Sequence, residues 1–365
     1  MAAPALSNRA LNRATLARQL LLDRSSFSAL DAVRHLVGLQ AQEPPDPYTA
    51  LWSRLAEFDP GELSGLLESR RAVRIVVMRA TIHLVTADDA LVLRPLMQPV
   101  LDSELERHPT FGPRLRGVDV APVLAAARAA LEERPLTGKE LRALVAERFP
   151  DLDAAAFAYA GRNHLALVQV PPRGLWGRRA QVRSTPLEHW VGRSLDPSPS
   201  LDEVVLRYLG VFGPASSADA AAWSRLTGMR EVVDRLRPQL RVFRLEDGRR
   251  ELFDLPDAPR PDPETPAPAR FLPEYDNALL SHADRSRFAS EGLRVAASGD
   301  WVGRGAVLHD GIVVGSWRRE GSIVATRLAV KLPKRARSEI EAQGGRLATF
   351  LSSGAAEADV SLVPS

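Results

Sequence analysis

Hydrophobic and polar positions repeat one loose pattern three times along the chain: helix, helix, then two strands joined by a tight turn. The third instance is sharpest, with Leu201, Val204, Val205 and Tyr208 on one helical face. After Gly213-Pro214, Ser216 or Ser217 is placed to cap a helix carrying Ala222, Trp223 and Leu226. Thr227-Gly228 marks a turn, Met229 to Leu236 a third helix that stops at Pro238, and residues 241–253 alternate as two strands about Asp247-Gly248. Three helices followed by a hairpin describe a winged helix.

In the second instance Thr137 stands three residues before Glu140, the spacing of a capping box. A helix from Asp153 to Leu165 follows, then strands at Leu167–Val170 and Ala180–Ser184 around an arginine-bearing wing. The first instance predicts helices at Thr15–Leu22, Ser28–Leu39 and Gly61–Ser69, strands at Val73–Met78 and Thr81–Val85, and another helix from Asp88-Asp89. Residues 256–269 hold six prolines and read as an extended linker or strap. Beyond it come short strands at Arg294–Ala297, Ala306–Leu308, Ile312–Trp317 and Ile323–Val330, a turn at His309-Asp310-Gly311, and a helix around Pro333–Gln343. The expected architecture is α+β: three tandem winged-helix units (1–100, 101–195, 196–255), the linker 256–269, and a small β-rich C-terminal domain over 270–365.

Composition narrows the classes. No apolar run reaches the roughly 18 residues of a membrane span, and the N-terminus lacks the order of a secretory signal, so a cytoplasmic location is expected. With no cysteine there is no disulfide, thiolate zinc site or cysteine nucleophile. The seven histidines are scattered without a metal-binding spacing, and neither a GxSxG elbow nor a P-loop is present. No metal and no cofactor are expected. Lysine occurs only at Lys139, Lys331 and Lys334, which leaves 45 arginines, yet the net charge is only +3. Global charge therefore does not predict a nucleic-acid binder. The clusters do more: Arg70, Arg71, Arg74 and Arg79; Arg173, Arg178, Arg179 and Arg183; Arg235, Arg237, Arg241 and Arg244; Lys331, Lys334, Arg335 and Arg337. Three of them fall on or beside predicted wings and recognition-type helices, where the planar guanidinium fork suits phosphate. The competing reading is a solvated arginine-rich surface set by biased composition.

One segment carries candidate chemistry. Val33, Leu36 and Val37 form an apolar stripe whose i+7 member is Gln40, an amide that needs partners if buried. On a helix Gln42 would lie about 200° from Gln40, and the two could not face one site. Pro44 and Pro45 disfavour helix before them, and an extended backbone from Ala41 would set Gln40 and Gln42 on one side. The residues alone leave a helix end with incidental glutamines and a paired-amide site both open.

Leu39-Gln40-Ala41-Gln42 resembles the glutamine–aliphatic–glutamine signature of the AlkZ-like winged-helix DNA glycosylases. Two longer blocks, residues 79–89 (Arg-Ala-Thr-Ile-His-Leu-Val-Thr-Ala-Asp-Asp) and 272–287 (from Leu272-Pro-Glu-Tyr-Asp-Asn to Arg287), resemble the same family, in the same order. The resemblance implies tandem winged helices forming a basic, C-shaped surface that grips double-stranded DNA. It implies hydrolysis of the N-glycosidic bond of alkylated purines (N7-alkylguanine, N3-alkyladenine), with Gln40 and Gln42 as the catalytic pair. Glutamine rather than aspartate at the second position points to the antibiotic self-resistance branch and to unhooking of bulky adducts or interstrand crosslinks. Among the matched residues His83 is either structural or a phosphate or lesion contact, and Asp276 and Asn277 either form a turn or touch DNA. Arg79, Arg178, Arg179, Arg237, Arg241, Ser281, His282, Arg285 and Arg287 are candidate DNA or lesion contacts. No lysine is evidently placed for a Schiff base, so a monofunctional enzyme is expected. A monomer is expected, since three such units in one chain can encircle DNA. The alternative is a non-catalytic winged-helix DNA-binding regulator or lesion-sequestering factor, which would be a dimer reading half-sites. RNA binding lacks its aromatic stripe, aromatics being 6% and dispersed.

Overall fold

Hydroxyl caps at the starts of amphipathic runs set several helix boundaries in the computed structural model, which describes residues 3–248, 250–289 and 303–352 and the backbone of 362–364. Ser7 caps the helix Asn8–Arg18, and Ser28 caps Ala29–His35. The Thr137–Glu140 pair forms a reciprocal capping box on Gly138–Arg148, and Ser216 and Asp219 do the same on Ser217–Ser224. The helix Leu201–Phe212 buries Val204, Val205, Tyr208 and Phe212 in the main core. Helix Met229–Leu236 and a hairpin of Arg241–Leu245 with Glu251–Asp254 follow, in the order the pattern predicts.

Helices combine with three sheets in an α+β arrangement. A five-stranded antiparallel sheet runs Leu39–Gln40, Ile82–Thr86, Ala72–Val76, Leu167–Gln169, Ser184–Pro186 in spatial order. It joins the first two sequence units through the pair Ile75↔Val168. Residue 100, the expected boundary, lies inside the helix Gln98–Arg107. The N-terminal strand Ala5–Leu6 pairs in parallel with Arg241–Leu245, so the first residues of the chain belong spatially with residues 241–254. Periodicity reports an element and its buried face, not the partner it pairs with, which is why these pairings were not foreseen. The third sheet contains Arg270–Leu272, Gly305–His309, Ile312–Glu320, Ile323–Leu328 and Leu362–Pro364. Its Asp310-Gly311 turn is as expected, and the helix Lys334–Leu351 covers it and runs past the predicted end. Strand Arg270–Leu272 went unread because it is three residues long and meets Pro273. The strand expected at 294–297 lies outside the described residues.

Two helices end earlier than expected. The first stops at Arg18, before Leu20 turns left-handed, and the second stops at His35 rather than Leu39 because Val37 and Gly38 do the same. The proline-rich 256–269 segment forms no helix or strand. It is strapped to the first helix by arginines: Arg13 Nε donates to the Thr265 carbonyl (2.6 Å) and Arg18 Nε to that of Pro259 (3.1 Å). Arg18 also forks onto Asp254 at 2.7 and 2.9 Å, with both side chains sealed from solvent.

Candidate active site and nucleic-acid interface

The paired-glutamine segment is built by the early end of its helix. Gly38 takes φ +91°, where a Cβ would stand 2.6 Å from Val85 Cγ1, so only glycine passes this turn closely. The chain then runs extended, with Gln40 opposite His83 and the Ala41 amide donating to the Ile82 carbonyl (2.8 Å). The strand ends at Gln40, and Gln42 lies in the bend that follows it. Arg74 Nη2 donates to the carbonyl of Ala41, between the two glutamines (2.8 Å). Arg74 is buried, which lowers its pKa to about 10, helped by Arg173. It is a strut of the motif, not part of a surface cluster.

Gln40 is buried and Gln42 exposed. The Gln40 Oε1 accepts from Arg79 Nη2 at 2.6 Å, and the same nitrogen donates to Asn277 Oδ1 at 2.7 Å. Arg79 Nη1 donates to the Trp223 carbonyl (3.1 Å). Arginine has no acceptor, so its partner on Gln40 must be the amide oxygen and the orientation of that amide is fixed. Asn277 closes the ring by donating Nδ2 to the Gly38 carbonyl (3.1 Å). Its neighbour Asp276 forks with Arg54 at 2.9 and 2.7 Å, both buried, and caps the short helix Asn277–Leu280. Asp276 and Asn277 therefore build the site from inside.

His83 lies beneath this network. Burial and the Arg79 charge lower its pKa to about 3, so the ring is neutral. Its Nδ1 lies 3.0 Å from the Thr81 carbonyl and must carry the hydrogen, which leaves the Nε2 lone pair facing Arg79 Nη2 at 3.2 Å. His83 is fully buried beneath the guanidinium, away from any surface a phosphate could reach. Burial, then Arg285, lowers the Arg79 pKa to about 10, and it remains a cation at neutral pH. Arg79 holds its turn with φ +58°, an uncommon conformation for a side-chain-bearing residue.

The remaining nominated contacts divide. Arg178, Arg179, Arg241 and Arg285 are exposed; Arg237 is exposed but paired with Glu251 at 3.0 Å. Ser281, His282 and Arg287 are buried. His282 Nε2 donates to the Phe212 carbonyl (2.9 Å), while Arg287 donates to Thr15 Oγ1 and to the carbonyls of Phe212 and Pro214. His282 and Arg287 thus bind the end of the helix Leu201–Phe212, and the Ser281 carbonyl accepts from the Tyr208 hydroxyl of the same helix (2.8 Å), so all three are turned inward. A dense polar stretch reads alike in sequence whether it caps a helix or a phosphate. A cavity of about 420 Å³ near the start of helix Ala87–Leu96 gathers Arg34, Arg70, Arg71, His189 and Arg193, with Arg70 stacked 4.1 Å over the Trp190 ring. Asp46, Trp223 and the 274–275 loop border the site and were not read from sequence. The hints were the nearness of Asp46 to the motif and the place of Glu274 and Tyr275 within the matched block 272–287.

A buried cation that clamps one glutamine, beside a second glutamine left open to solvent, on a fold with exposed arginines, suits a DNA glycosylase. A family model described as DNA glycosylase AlkZ-like matches residues 33–350, and the chain belongs to this family. The solved structure of the Streptomyces sahachiroi DNA glycosylase AlkZ shares the fold, with a TM-score of 0.73 and 22% identity over 98% of this chain and 100% of that one. A search of curated protein sequences finds no match. No described helix is long and apolar enough to cross a membrane.

Proposed function

We propose that this glycosylase hydrolyses the N-glycosidic bond of N7-alkylguanine and N3-alkyladenine in double-stranded DNA, as a monofunctional, monomeric enzyme that also unhooks bulky adducts or interstrand crosslinks. The observation that carries the reading is the clamp of Arg79, Asn277 and His83 on Gln40, with Gln42 open beside it. An N7-alkylated guanine is already cationic and departs without a strong general acid. What remains is to position water and to stabilise an oxocarbenium-like sugar, which preoriented dipoles can do. Because Arg79 holds the Gln40 carbonyl, Gln40 offers its NH2 group to lesion or sugar. Gln42 is left to present its carbonyl to water and developing positive charge. Exposed Arg178, Arg179, Arg241 and Arg285 would take backbone phosphates. The three helix–hairpin units would act as winged helices on a C-shaped basic face, and the 256–269 strap would tie the third to the C-terminal sheet.

The test is base release from duplexes carrying N7-methylguanine or an interstrand crosslink, by wild type, Gln40→Ala and Gln42→Ala. Release that collapses in the variants while DNA affinity persists supports the reading. Tight binding without release from either substrate overturns it.

A further inference from the structure

Duplex DNA is a polyanion, and an acidic group facing it weakens binding unless it meets positive charge. The open glutamine nevertheless sits beside carboxylates. Glu43 follows Gln42 directly and is exposed; Asp46 lies one turn on, its amide donating to the Glu43 carbonyl (3.2 Å). Facing them is the 274–276 loop, locked to the motif because the adjoining Asn277 holds Gly38 and Arg79. Asp276 is neutralised by Arg54. Among the described residues, Glu43, Asp46 and Glu274 enter no ion pair, and Glu274 accepts only from uncharged donors, the Gly303 amide (2.8 Å to Oε1) among them.

A buried, unpartnered oxygen and an exposed ring point to a ligand. The Asp46 Oδ2 is sealed from solvent and has no hydrogen-bond partner among the described residues. Burial first, then Glu274, Glu43 and Asp276, push its carboxyl well above the usual range, and Arg74 opposes them. The nearby acids add to burial in the same direction, so negative charge is gathered around this carboxyl. Next to it Tyr275 is exposed although aromatic, and takes the left-handed backbone with φ +61°. Its hydroxyl bonds Glu274, which leads burial and the nearby acids in pushing the phenol up to about 12, so the ring stays un-ionised.

We propose that Tyr275, Glu274 and Glu43, with Asp46 beneath them, form a cradle that selects a positively charged purine, the ring stacking on the base and the carboxylates balancing its charge. This rests on the reading that the glutamines act on alkylated purines, and it assigns the preference for cationic bases to named side chains. A neutral purine gains the stacking alone; a cationic one gains cation–π and carboxylate attraction as well. The cradle also disfavours undamaged strand at this spot, because the carboxylates repel phosphate.

The test is equilibrium binding by the full chain to three duplexes that are not cleaved: 2′-fluoro-N7-methylguanine (cationic), 7-deaza-7-methylguanine (its neutral isostere) and unmodified guanine. Wild type is expected to prefer the cationic over the neutral duplex by roughly 3- to 30-fold. Glu274→Gln and Tyr275→Leu should each cut that ratio at least about threefold, and far-ultraviolet circular dichroism with thermal unfolding of each variant shows that it folds. Equal binding of the two methylated duplexes by wild type, or an undiminished ratio in both variants, overturns the cradle. If wild type discriminates but releases no base, the glycosylase reading fails and the cradle stands. Release without discrimination removes the cradle alone.

Discussion

Replacing Arg79 by lysine separates its two conceivable roles, because the charge stays and the fork is lost. In the native site one guanidinium reaches Gln40 Oε1, Asn277 Oδ1 and the Trp223 carbonyl. A lysine ammonium is a point donor on a flexible stem and cannot span all three. The side chains of Gln40 and Asn277 are buried, and each amide oxygen left without its donor costs about 1–3 kcal/mol. With one of the two recovered by the ammonium, the net loss is about 1–3 kcal/mol. In a chain of 365 residues that lowers Tm by only about 1–4 °C. Activity should fall far more, since a freed Gln40 amide misplaces the group beside the reacting sugar, and small misplacements cost on the order of 100-fold. The assay is single-turnover release of N7-methylguanine at saturating enzyme, with Tm and duplex affinity measured in parallel. Arg79→Lys should bind DNA normally and release base on the order of 100-fold more slowly. Weakened binding with an unchanged single-turnover rate would make Arg79 a phosphate contact and refute the clamp.

Other perturbations follow from the same contacts. Arg54→Met strands the buried Asp276 carboxylate, and should destabilise the protein by about 3–5 kcal/mol in urea unfolding and slow base release through Asn277; full stability would show the pair to be incidental. His83 and His282 sit near 3 in the fold against 6.5 in an unfolded chain, so below pH 6.5 the unfolded state takes up protons that the folded state refuses. Stability should be complete above 6.5 and fall as pH drops toward 3, by about 1.4 kcal/mol per pH unit for each ring. His83→Gln should flatten the decline in urea midpoint between pH 7 and 5, and a wild-type midpoint constant over that range would contradict the assignment. Arg178→Ser with Arg179→Ser should weaken binding to any duplex and reduce the slope of log affinity against log salt by up to about 1.8. An unchanged slope would take both residues off the DNA.

What could be read from sequence was what is local. The Thr137–Glu140 box, the Ser216 cap and the Asp247-Gly248 hairpin each rest on residues within a few positions of one another, where spacing decides geometry. Gln40 was legible as an amide on an apolar stripe that would need partners, but its partner Arg79 lies 39 residues on, and the Asn277 that completes the network lies 239 residues from Gly38. Nothing in periodicity carries that information. The same limit hid the sheet pairing of Ile75 with Val168, and it made Ser281, His282 and Arg287 resemble surface contacts.

The arginines show why charge clusters misled. Phosphate contact and solvated surface were the two readings weighed, and a third occupies much of the chain. Arg18 and Arg287 take carbonyls from the end of the helix Leu201–Phe212, Arg94 that of Asn163, and Arg74 that of Ala41. Five donors and no acceptor make the guanidinium suited to satisfying helix-end and loop carbonyls that would otherwise be buried unpaired. Once carboxylate partners such as Asp254 and Asp276 are counted with them, these arginines leave little net charge at the surface. The footprint available to DNA is therefore carried by the arginines that are exposed and unpaired, and substitutions at buried ones should alter stability before they alter the salt dependence of binding.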